Sequence, residues 1–106
     1  MKKRTLPSID FPAQITRLKQ ALSSRGVSVD EVSYSPEAYG SWSLTAGSKE
    51  KKLSFSYDAQ LSELRYHDTK IVPKDWRDLQ HASFRTWEGE DPLAYVEDVL
   101  KKEFPA

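Results

Sequence analysis

Cysteine is absent from the 106 residues, which removes disulfide frameworks, thiolate metal sites, cysteine nucleophiles and redox motifs together. Stability must come from packing. Glycine is scarce, at positions 26, 40, 47 and 89 only, and neither Gly-x-x-x-x-Gly-Lys nor Gly-x-Gly-x-x-Gly occurs, so no phosphate-cradling loop is expected. No run approaches the roughly 20 apolar residues that cross a bilayer. The basic start Met1-Lys2-Lys3-Arg4 leads into Thr5-Leu6-Pro7-Ser8-Ile9-Asp10 rather than an apolar signal core, so the chain reads as cytoplasmic and not membrane-bound. Net charge is also absent: 16 Lys+Arg stand against 16 Asp+Glu, which gives no overall attraction to nucleic acid or anionic lipid.

Three Trp, five Tyr and four Phe concentrate apolar area into large side chains, which opposes disorder despite a mean hydropathy of -0.68. The length fits a single globular domain over residues 1–106. Charge is unevenly spread. Lys2, Lys3, Arg4, Arg17, Lys19 and Arg25 face only Asp10 in the first 29 residues, whereas residues 75–98 hold seven acids against Arg77 and Arg85.

Phe11, Ile15, Leu18 and Leu22 recur at helical spacing and predict a first helix, with Asp10 as N-cap, Pro12 in the first turn, Arg25 against the last carbonyls and Gly26 as the left-handed stop. Residues 27–40 read as a loop, with Val27, Val29 and Val32 leaving an edge strand open as an alternative. Trp42, Leu44 and Ala46 alternate with Ser41, Ser43 and Thr45. Leu53, Phe55 and Tyr57 alternate with Lys52, Ser54 and Ser56, and Leu64 and Tyr66 with Glu63, Arg65 and His67. These are three strands with one buried face each, joined as an antiparallel meander. Asp75 then caps a short helical piece through Trp76 and Leu79 towards Ala82. After the break at Glu88-Gly89-Glu90, Asp91-Pro92 opens a last helix carrying Leu93, Val96, Val99, Leu100 and Phe104. The expected fold class is α+β: a two-layer domain with a three-stranded antiparallel meander, helices on one face and the order α-β-β-β-α-α.

Thirteen serines and two histidines make a catalytic triad combinatorially possible, but no Gly-x-Ser-x-Gly elbow is present. Neither His67 nor His81 has a second histidine at metal-ligand spacing, so no metal and no cofactor is expected. The order of elements resembles the restriction-type nucleases, whose motif places an Asp and a Glu-x-Lys on adjacent strands around Mg²⁺; Asp58 and Glu63-Leu64-Arg65 occupy those places. Here Arg65 replaces the lysine, the Asp lies unusually close, and a turn start explains Asp58 by itself. The same order resembles the double-stranded RNA-binding domain. That family's lysines at the start of its second long helix correspond to Asp75 and Asp78, or to Glu90 and Asp91, and acids there repel phosphate.

No catalytic constellation is therefore expected, and the chain reads as a small non-catalytic binding protein of adaptor, antitoxin or immunity type, monomeric or weakly dimeric, acting on a protein partner. A nucleic-acid-binding module using the basic N-terminal third is the alternative, and a metal-dependent nuclease comes third. The expected partner surface is the polar sheet face of Ser43, Thr45, Ser54, Ser56, Glu63, Arg65 and His67, where short hydroxyls leave the sheet flat. Trp76 and Trp87 beside the acidic segment are either core-edge or interface residues.

Overall fold

A computed structural model describes residues 11–35, 37, 40–71 and 79–105, with Trp87 described by its backbone alone. Its order is α1 (Phe11–Leu22), β1 (Ser28–Ser35), β2 (Ser41–Gly47), β3 (Lys52–Asp58), β4 (Glu63–Asp68), β5 (Gln80–Ser83) and α2 (Pro92–Glu103), with single 3₁₀ turns at Ser23–Arg25 and Thr86–Glu88. The strands form one antiparallel sheet in sequential order, β1-β2-β3-β4-β5. The architecture is α+β as expected, but the three-stranded meander in the order α-β-β-β-α-α is wrong. Among the described residues, the sheet has five strands, and two α-helices flank it in sequence.

Both additions have a physical cause. In β1, Asp30 pairs with Thr45 but Ser33 pairs with Ser43, so Glu31 and Val32 together oppose Leu44 alone. This is a β-bulge, with Glu31 in the left-handed region at φ 49°. The extra residue reverses the parity of the strand. Val29 faces the core from an odd position and Tyr34 turns to the same side from an even one, where its ring stacks on Phe11 at 4.5 Å and 8°. Strict alternation, the signal sought in residues 27–40, is thereby broken. At β5, Ala82 pairs with Leu64 and His81 with Arg65, so residues 80–82 are extended, not the end of a helical piece. Only Ala82 of this short strand packs against the core, which is too little apolar pattern to set period two against period 3.6. Leu79 of that expected piece lies in a bend before β5, while its start, Asp75 with Trp76, lies outside the described residues, as does the expected Asp10 cap.

The three central strands and both terminal helices fall where their periodicity puts them. Phe11, Ile15, Leu18 and Leu22 of α1 and Leu93, Val96 and Leu100 of α2 are buried with Val29, Trp42, Leu44, Ala46, Leu53, Phe55, Tyr57 and Leu64 in one core on a single sheet face. Asp91 caps α2, its carboxylate accepting from the Leu93 amide at 2.9 Å, with Pro92 behind it. Gly26 ends the first helical segment at φ 69°. Arg25 lies in the last turn of the 3₁₀ segment that follows α1, and it also reaches a second helix. Its Nη1 donates to the carbonyls of Lys101 (3.5 Å) and Phe104 (3.3 Å), at the end of α2. Among the described residues, no helix is long and apolar enough to cross a membrane.

Aromatic rings carry the core between layers. Trp42 stacks on Tyr57 (5.4 Å), Tyr57 meets Phe84 (6.3 Å), Phe84 meets Tyr95 of α2 (5.5 Å), and Tyr95 meets Tyr66 (6.3 Å), which stacks on Phe55 (5.2 Å). Desolvation, followed by the hydrogen bond to Tyr95, pushes the Tyr66 phenol up from 10.0 to about 12. Because the folded value is raised, the associated stability is intact below pH 10 and is lost as pH rises towards 12. Denaturant unfolding measured across that window is expected to show this alkaline loss in the parent protein and a smaller loss in Tyr66→Phe. Equal losses would remove Tyr66 as its source.

Candidate functional site

The sheet face opposite the helices is lined by alternate residues of every strand. Cross-strand pairing sets one row as Ser33, Ser43, Ser56, Arg65 and His81, and the next as Asp30, Thr45, Ser54 and His67. Asp58 and Glu63 pair directly in a further row, which continues to Ser83. All seven expected surface residues thus lie together: Ser43, Ser56 and Arg65 in one row, Thr45, Ser54 and His67 in its neighbour, and Glu63 beside Arg65. Serine and threonine dominate the middle of the face because side chains there stand upright over a twisted sheet, and short ones leave it level.

The charged groups are mostly paired among themselves. Arg65 Nε donates to Glu63 Oε1 at 3.0 Å. Lys52 Nζ lies 3.4 Å from Asp30 Oδ2, which also accepts from the Ser28 hydroxyl at 3.2 Å. Asp58 Oδ1 accepts from the amides of Gln60 and Leu61 at 3.0 and 3.1 Å, closing the β3–β4 turn. Asp58 and Glu63, the acids of the nuclease-like spacing, are therefore engaged by a turn and by a neighbouring arginine. Among the described residues, no group of three or more His, Asp or Glu side chains is arranged to hold a metal ion.

The face is not uniform. A depression of about 380 Å³ opens between β1 and the far end of β4, lined by Asp30, Glu31, Thr45, Lys52, Ser54, His67 and Thr69. Thr45, Ser54 and His67 belong to the surface expected from sequence; Asp30, Glu31 and Thr69 do not. The first two sit on β1, whose strand character the bulge conceals. Lys52 shares the polar phase of Ser54 and Ser56, so alternation alone is the signal that includes it. His81 joins the face only once β5 is recognised as a strand.

The other charged segments have structural employment. In the acidic stretch, Glu90 accepts from the Arg85 amide at 2.7 Å, Asp91 caps α2, and Glu88 lies 3.8 Å from Arg85. Trp87 belongs to the turn Thr86–Glu88, and Trp76 lies outside the described residues. Of the basic N-terminal set, Arg25 donates to α2, Arg17 and Lys19 are exposed on α1, and Lys2, Lys3 and Arg4 lie outside the described residues. In comparisons with known proteins, the chain matches no protein family, no curated protein and no solved structure, so the polar sheet face is the feature on which a functional reading rests.

Proposed function

We propose that the chain is a small cytoplasmic binding protein, monomeric or weakly dimeric, that docks a protein partner on the open polar face of its sheet and performs no catalysis itself. Its class is adaptor, antitoxin or immunity protein. The observation that carries this reading is the row Ser33, Ser43, Ser56, Arg65 and His81 beside the row Asp30, Thr45, Ser54 and His67, on a face that no described helix covers. Short hydroxyls lose little rotamer entropy on contact. The Glu63–Arg65 pair and the two histidines provide orientation, since charged groups across an interface fix register more than they add affinity.

The experiment is affinity capture from the native lysate with Ser54→Arg and Arg65→Glu, each first shown by circular dichroism to melt like the parent. Both side chains are partly exposed, so folding is expected to survive. Capture of the co-purifying protein is expected to fall at least about tenfold in each, the size of roughly 1.4 kcal/mol at an interface charge or contact. Undiminished capture by both variants would refute the sheet-face reading, and salt-sensitive recovery of nucleic acid in place of a protein would replace it with the basic N-terminal third.

A further inference from the structure

The depression over β1–β4 has a charge asymmetry that specifies what fits it. Lys52 and Asp30 neutralise each other across 3.4 Å. Glu31 has no described ionic partner. Its carboxylate accepts one hydrogen bond, from the Thr45 hydroxyl at 3.4 Å, and the residue is exposed. The rest of the lining is Thr45, Ser54, Thr69 and His67, each with lone pairs to offer. The depression is thus a polar cavity with one surplus negative charge and many acceptors spread over neighbouring strands about 4.8 Å apart.

We infer that the depression receives an arginine side chain of the partner, with Glu31 as its counter-charge; this rests on the docking reading of the same face. The complement must be a cation, since an anion would meet the carboxylates of Asp30 and Glu31. An apolar side chain would strip water from Glu31 without replacing its hydrogen bonds. A guanidinium is the cation that matches, because its planar fork of five N–H donors grips a carboxylate with two parallel bonds and still has donors left for the hydroxyls. A lysine ammonium presents three donors from a single atom and reaches fewer of the acceptors at once. The bulge sets this geometry: two residues of β1 share the space opposite Leu44, and Glu31 belongs to that inserted pair.

The test uses N-acetyl-arginine amide as probe, with the uncharged N-acetyl-citrulline amide as its near-isosteric control. Both are titrated to millimolar concentration at low salt into the ¹⁵N-labelled full chain. The expected result is saturable shift changes at the amides of Glu31, Thr45, Ser54 and His67, with citrulline weaker by about two- to fivefold. Glu31→Gln, checked for an unchanged amide spectrum elsewhere, is expected to reduce the arginine affinity by a similar factor. Shifts that do not saturate, that lie elsewhere, or that citrulline reproduces would overturn the assignment. If Arg65→Glu abolishes partner capture while the probe leaves the depression unshifted, the docking surface stands and its arginine occupant is wrong.

Discussion

Leu44→Asp is expected to abolish cooperative unfolding, while Ser43→Asp, one residue away on the same strand, leaves a sharp transition. Leu44 is 1% exposed, pairs with Phe55 across β2–β3 and faces the helices. Ser43 is partly exposed in the polar row between Ser33 and Ser56. The first substitution loses a buried leucine, about 2–5 kcal/mol by itself, and places a carboxylate where no described basic side chain is buried to meet it, which costs several kcal/mol more. Total stability for a domain of this size is about 5–15 kcal/mol, so the sum consumes most of it. Urea unfolding followed by circular dichroism reads the difference. Two superimposable transitions would mean that the inward and outward phases of β2 are reversed.

Gly47→Ala is the second large effect, and it arises from backbone rather than burial. A β-carbon at Gly47 would stand 2.2 Å from the Lys51 carbonyl oxygen and 2.7 Å from the Lys52 α-carbon. Neither atom can swing aside. The Lys51 carbonyl already accepts from the Ser48 amide at 2.8 Å, and the Ser48 hydroxyl accepts from the amides of Glu50 and Lys51 at 3.3 Å. The turn joining β2 to β3 must therefore open, at a cost of roughly 2–4 kcal/mol. Gly26→Ala is the control. Nothing lies within 4 Å of its added carbon, and the left-handed φ of 69° costs only about 1–2 kcal/mol. The Gly47 variant is expected to show the larger fall in urea midpoint; a smaller fall than at Gly26 would show that the turn relaxes freely.

Much of this fold is legible in the sequence because its elements are regular. The steps from Phe11 to Leu22 and from Leu93 to Leu100 bury the residues that helical spacing selects; burial alternates along all of β3 and along β2 as far as Ala46, and in β4 it singles out Leu64. What escapes reading is irregular or short. The bulge makes Val29 and Tyr34 neighbours on one face although their numbers differ in parity, and no fixed period finds both. β5 owes its conformation to the ladder with β4, a tertiary cause that four residues cannot announce. The same division runs through the site. Ser43, Thr45, Ser54, Ser56, Glu63, Arg65 and His67 follow from alternation, whereas Asp30 and Glu31 require β1 to be seen. Arg25 is legible only in part: its place at the end of a helical segment follows from the sequence, whereas only the packing of α1 against α2 reveals that it donates to carbonyls 76 and 79 residues distant.

That long reach has a bearing on the order in which the molecule assembles. Neighbouring strands are joined by connections that bring their partners together locally, and each hairpin can close as soon as its second strand exists. The α1–α2 contact instead joins residues that are 76 and 79 positions apart. On the ribosome, α1 emerges before α2, and the carbonyls of Lys101 and Phe104 that hold Arg25 come only with the end of α2 and its C-cap. Until then, the apolar stripe of Phe11, Ile15, Leu18 and Leu22 has the growing sheet to rest on but not its helical neighbour. Incomplete chains that lack α2 therefore leave part of that apolar stripe without its native cover, the kind of surface on which misassembly starts.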